Sequence, residues 1–176
     1  MKFKLIVFFA FLLSPFFSFA QKNTNYLKVA GQMAIPTGQL ADIVGVGYGG
    51  SVKGIFGFSK QPQYLTVEAG YNRLGVKDLP AGSSGNYSAI PVYAGYRARL
   101  GQLIFDAQTG VSFNRIAASG PGGSASDTQT AFAWAVGASY EYKQVELGLR
   151  FQSSEANNDT FIIRFVGVRL GYNFKL

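Results

Sequence analysis

The chain has 176 residues, 16 lysines and arginines against 9 carboxylates, a formal charge of +7, 22 glycines, and neither histidine nor cysteine. Without cysteine there is no disulfide framework and no lipoprotein anchor; without histidine there is no serine–histidine relay. The positive residues stand singly rather than in runs, so nucleic-acid binding is not expected, and the charge reads as surface and lumen chemistry.

Lys2 and Lys4 precede an apolar run from Leu5 to Leu13, Ser14-Pro15 interrupts it, and Ser18-Phe19-Ala20 stands before Gln21. A basic start, a short apolar stretch and a small-x-small site predict a cleaved secretory signal peptide at 1–20. An uncleaved anchor would need about 20 uninterrupted apolar residues. Cleavage leaves one domain, 21–176, with 156 residues and a formal charge of +5.

Eight segments of the mature chain alternate with period two, the signature of half-buried strands. The first, 26–35, sets Leu27, Val29, Met33 and Ile35 against Lys28, Ala30 and Gln32. In 46–58, Val46, Tyr48, Val52, Phe56 and Phe58 oppose Gly47, Gly49, Ser51, Lys53 and Gly57. In 64–73, Leu65, Val67, Ala69 and Tyr71 oppose Thr66, Glu68, Gly70 and Asn72. In 88–99, Ile90, Val92, Ala94 and Tyr96 oppose Tyr93, Gly95, Arg97 and Arg99. In 103–114, Leu103, Phe105, Val111 and Phe113 oppose Asp106, Gln108, Ser112 and Asn114. In 130–142, Phe132, Trp134, Val136, Tyr140 and Tyr142 oppose Ala133, Ala135, Gly137, Ser139 and Glu141. In 145–152, Val145, Leu147, Leu149 and Phe151 oppose Glu146, Gly148, Arg150 and Gln152, and the eighth segment covers 162–176. No helical pattern competes with these.

The links at 59–63, 100–102 and 143–144 are short, whereas 36–45, 74–87, 115–129 and 153–160 are longer and rich in Gly, Ser, Pro, Asn and Asp. Short and long alternate, as tight periplasmic turns and outer loops do in a membrane barrel. The bulky faces carry aromatic residues toward both ends of the segments, where amphipathic rings favour headgroup depth.

The chain ends Arg169-Leu-Gly-Tyr-Asn-Phe-Lys-Leu176, with Leu170, Tyr172, Phe174 and Leu176 on one face of a strand and Arg169, Gly171, Asn173 and Lys175 on the other. This resembles the C-terminal insertion signal of bacterial outer-membrane barrels, carried here by Arg169, Gly171, Phe174 and Leu176; the usual terminal aromatic is replaced by Leu176. With Ile35-Pro-Thr-Gly38 and Ile90-Pro-Val-Tyr-Ala-Gly95, the whole of 26–176 is similar to the small eight-stranded outer-membrane β-barrel family of OmpA/OmpX type. The resemblance implies an all-β, eight-stranded, antiparallel up-and-down transmembrane barrel in a Gram-negative outer membrane. Its partners would be membrane lipid, lipopolysaccharide and, through the closing strand, the barrel-assembly machinery. The alternative is a soluble periplasmic, lipocalin-like carrier with the greasy faces turned inward.

In the membrane reading the inner face carries Lys28, Lys53, Arg97, Arg99, Arg150 and Arg169 against Glu68, Asp106, Glu141 and Glu146. Eight strands leave room only for side chains, so these charges are expected to pair as a lumenal network, with Glu68 between the strands of Lys53 and Arg97, and Glu146 beside that of Arg169. A narrow path for ions or small solutes is the competing role. Barrel enzymes of this membrane resemble one another in using a histidine, so no catalytic residue is assigned; the Glu141–Glu146 pair suits a glycosidase only if sugar can enter. No cofactor or metal is expected. Gly45-Val-Gly47-Tyr-Gly-Gly50 has the spacing of a dinucleotide turn but precedes a strand. Asn157-Asn158-Asp159 offers oxygens to calcium but reads equally as an exposed turn. Outer loops 74–87 and 115–129 are the candidates for an unknown surface ligand, and Arg73, Lys77, Arg115 and Arg164 are either lipopolysaccharide contacts or ordinary solvated charges.

Overall fold

Strict alternation lets each strand offer one face to lipid and one to a lumen, and a closed sheet is the arrangement that leaves no unpaired backbone in the bilayer. A computed structural model, describing residues 25–58, 62–80, 82–121, 123–155 and 162–176, has this form. The strands are β1 (Tyr26–Thr37), β2 (Gly47–Gly57), β3 (Gln63–Gly75), β4 (Ser84–Leu100), β5 (Leu103–Gly120), β6 (Gly123–Tyr142), β7 (Val145–Glu155) and β8 (Ile162–Lys175). Each pairs antiparallel with its sequence neighbours, and β8 closes on β1 from Tyr26↔Lys175 to Thr37↔Arg164. The expected signal peptide and Asn157–Asp159 lie outside the described residues.

The faces are those that alternation implies. Leu147, Leu149 and Leu170 are each nearly 60% exposed on the wall, while Lys53, Glu68, Arg97 and Glu146 are buried inside. A soluble carrier would have the reverse arrangement. Outward aromatics occur toward both ends: Tyr48, Tyr71, Phe113 and Phe132 are exposed toward the outer end, and at the turn end Tyr172 and Phe174 have centroids 4.7 Å apart and Phe58 lies 6.4 Å from Tyr96. There the Tyr172 hydroxyl donates to Gln144 Oε1 at 2.7 Å and Tyr140 donates to Gln102, so each ring keeps its polar tip at a turn.

Two expectations about the outer end need correction. The first outer connection contains a short helix, α1 (Gln39–Ile43), in a stretch where no helical pattern was read. Five residues are too few to show a period, and the helix is held by burial of Leu40 and by its entry through Gly38, whose φ of 61° suits glycine. The second correction concerns 115–129. It is a hairpin continuing β5 and β6, paired from Arg115↔Thr128 to Gly120↔Gly123, rather than an irregular loop. Its residues are mostly exposed on both faces, so no apolar alternation marks them as strand.

Candidate functional site

The lumen is built in layers. At the outer end Leu40 of α1 inserts among Ala34, Val44, Leu74, Tyr87, Ala89, Ile163 and Phe165, an apolar cap in a barrel whose other buried side chains are mostly polar, with smaller apolar contributions from Ile55, Ile104 and the Tyr93–Ala133–Ala135 cluster. The first two outer connections are tied over it: Lys77 N donates to Ile43 O at 2.9 Å, Gly45 N to Gly75 O at 2.8 Å, and Val44 bridges Val76. Beneath lies a belt of neutral polar groups. Tyr87 Oη and Ser112 Oγ donate to Asn114 Oδ1 at 2.8 and 2.7 Å, Asn114 Nδ2 donates to Ser154 Oγ at 2.9 Å, and Gln32 donates to Asn72. Sequence reasoning put Gln32, Asn72, Ser112 and Asn114 on the inner face without giving them a role, whereas Tyr87 and Ser154, expected in the outer links 74–87 and 153–160, are buried residues of β4 and β7. Their parity with the charged positions was the available signal.

All ten charged residues of the expected network line the lumen, and each has an ion-pair partner. Glu146 takes Lys28 Nζ and Arg97 Nη2, both at 2.5 Å. Glu68 takes Lys53 at 3.0 Å, Arg150 at 2.6 Å and Arg169 at 2.7 Å. Asp106 takes Lys53 at 3.0 Å and Arg97 at 3.4 Å, and Glu141 takes Arg99 at 2.5 Å. The partners differ in part from the expected ones. Lys53 and Glu68 do sit opposite each other on β2 and β3. Glu68, however, pairs with Arg150 and Arg169 rather than Arg97, and Glu146 with Lys28 and Arg97 rather than Arg169. The lumen is narrow enough for side chains to span it, so partners are chosen across the axis as well as along the wall.

Glu141 and Glu146 are direct cross-strand neighbours, an unfavourable placement for like charges. Arg97 and Asn173 relieve it: Arg97 Nη2 lies 3.8 and 2.5 Å from the two carboxylates, and Asn173 Nδ2 donates to them at 2.8 and 3.2 Å. Both carboxylates are thus committed to cations and amides, with no space for a sugar between them. The lumenal cavity beside Glu146 measures only about 20 Å³.

The closing-strand residues divide between the faces. Arg169 points inward to Glu68 and Ser51, Gly171 is buried so close to Lys28 that an added Cβ would lie 2.5 Å from Lys28 Cε, and Phe174 and Leu176 are exposed outside. Residues 45–50 lead directly into β2, with no helix after the glycines. Above the membrane band, a cleft of about 450 Å³ opens between Leu79–Pro80 and the β5–β6 hairpin, lined by Ser, Ala and Gly without a charged side chain. The rim cations do not converge on it. Lys77 donates to Ala41 O at 2.9 Å, Arg115 to Ser126 Oγ at 3.3 Å, and Arg73 and Arg164 are exposed on separate strands.

A closed eight-stranded wall with an apolar exterior and a charged interior narrows the possibilities, and the family model for the outer membrane protein beta-barrel domain matches residues 7–174. The chain belongs to this family. It is therefore an integral protein of the outer membrane, with its wall in lipid. Among solved structures it is similar to Ail, the attachment invasion locus protein of Yersinia pestis, at 14% identity over 87% of this chain and 98% of that one, TM-score 0.63, in a structure with the heparin analogue sucrose octasulfate. It is also similar to the Neisserial surface protein A, at 17% identity over 86% and 97%, TM-score 0.55. The N-terminal β-barrel domain of Pseudomonas aeruginosa OprF shares 14% identity over 86% and 98%, TM-score 0.58. At these identities the likeness is one of fold. No curated protein matches the chain.

Proposed function

We propose that this family member is a non-enzymatic barrel that serves envelope structure or surface interaction through its outer connections, its lumen being closed to solutes. The observation that carries the reading is a double closure. An apolar cap led by Leu40 sits over a charged layer in which Glu68 and Glu146 each hold two or more cations across the axis. A lumen filled in this way leaves the wall and the outer connections as the surfaces that meet other molecules. The cleft beside the β5–β6 hairpin is the place for a surface ligand, and the exposed Arg73 and Arg164 suit lipopolysaccharide phosphates at the rim. Export through residues 1–20, and recognition of Arg169, Gly171, Phe174 and Leu176 by the barrel-assembly machinery, complete the proposal.

Planar-bilayer recording of the purified, refolded protein tests the closure. The expected trace is flat at moderate voltage. Steady, ion-selective openings would make the protein a channel and remove this reading.

A further inference from the structure

Among the described residues six lumenal cations face four carboxylates, and the excess is concentrated at one place. Lys28 and Arg97 share Glu146, Lys53 and Arg97 share Asp106, and Arg99 takes Glu141 near the periplasmic mouth. Glu68 alone answers both Arg150 and Arg169, through the same oxygen, while also pairing with Lys53. The two guanidinium groups therefore carry more positive charge than nearby carboxylates return. Arg150 and Arg169 are only 5% and 7% exposed, yet Arg150 Nε and Nη2 and Arg169 Nε have no hydrogen-bond partner among the described residues. The Tyr93 ring, 4.8 Å from Arg150 Cζ, softens the charge without offering those N–H groups a lone pair.

Both arginines line the lumenal cavity of about 20 Å³, together with Lys28, Ser139, Asp106 and Glu146. Room for one probe sphere, about 10–15 Å³, is the minimum for a single water, so the cavity admits one water-sized or chloride-sized species and no polyatomic oxyanion. We propose that this cavity binds one small monovalent anion of the chloride class, held by the free N–H groups of Arg150 and Arg169. Water would satisfy the donors but leave the buried excess charge uncompensated, which is the costlier defect. Asp106 and Glu146 do not cancel the site, because each is already engaged by two cations. The inference is independent of what the outer connections contact.

The test is to refold and crystallise the full chain in sodium bromide and to collect data at the bromine absorption edge. The expected result is one lumenal anomalous peak within hydrogen-bond distance of Arg150 and Arg169. A lumen without such a peak overturns the proposal, as does bromide confined to the surface. In solution, the unfolding midpoint is expected to be higher in chloride than in gluconate at equal ionic strength. Arg150→Gln should abolish that gap. Asp106→Asn, which retains both arginines and increases the positive excess, should widen it. Equal midpoints in the two salts for the unmodified protein, or an unchanged gap in Asp106→Asn, would count against the site even if Arg150→Gln does not fold.

Discussion

Arg97 of β4 and Glu146 of β7 meet at 2.5 Å although β5 and β6 separate their strands along the wall. The pair is a chord through the barrel, and a lumen crossed by such chords has little room for solute. Breaking a buried pair by removing one partner typically costs about 3–5 kcal/mol, whereas exposed pairs contribute about 0–1 kcal/mol. Glu146→Gln, which leaves Lys28 and Arg97 short of a carboxylate, should lower stability by about 3–5 kcal/mol. Glu141→Gln removes a like-charge neighbour of Glu146 and leaves an Arg99 that is still 24% exposed, so it should cost clearly less than Glu146→Gln. Urea unfolding in lipid vesicles compares the two, and equal losses would mean that the transverse pairs carry no special weight.

The wall gives a second prediction. Leu149 is 59% exposed, on a face that the fold turns toward hydrocarbon. Leu149→Arg should destabilise the inserted barrel by about 2–4 kcal/mol, as cations near the bilayer midplane do. The same assay reads it, and a neutral result would place this face in water.

These two predictions rest on information of unequal legibility. Leu149 and its neighbours could be assigned to the wall from the sequence, because period two requires only that a segment be a strand. The same parity identified all ten charged inner residues. It could not say that Arg97 reaches Glu146, since partners across a closed sheet depend on register and stagger around the whole barrel. The cap was illegible for another reason: Leu40 is buried by contacts from β1 and β8, and nothing in the five residues of α1 announces them. The β5–β6 extension escaped notice because its Ala, Ser, Thr and Gly residues face water on both sides and carry no alternation.

Glycine positions supply a third prediction. A Cβ at Gly110 would stand 2.0 Å from the Val92 carbonyl oxygen, whereas one at Gly31 would meet nothing within 4 Å. Gly110→Ala must push β4 and β5 apart beside Tyr93 and should cost about 1–3 kcal/mol, the usual penalty of overpacking. Gly31→Ala should fall within about 0.5 kcal/mol of the unmodified protein, as open surface sites do. Heat-modifiable gel migration would show the first losing its folded form at lower temperature and the second unchanged.

The cap and the charged layer should act separately. Leu40→Ala removes the side chain that seats α1, a change that costs about 2–5 kcal/mol in a packed core. The first outer connection is joined to the barrel by a few hydrogen bonds, so the loss should appear as local opening rather than global unfolding. Proteinase K is then expected to cut 38–46 in Leu40→Ala faster than in the parent protein, while the unfolding midpoint of the strands barely moves. Bilayer recordings should stay flat, because Arg97, Glu146, Glu68 and Arg150 still cross the lumen below. Openings in Leu40→Ala alone would mean that the cap is the sole barrier and that the ion pairs line a path rather than block one.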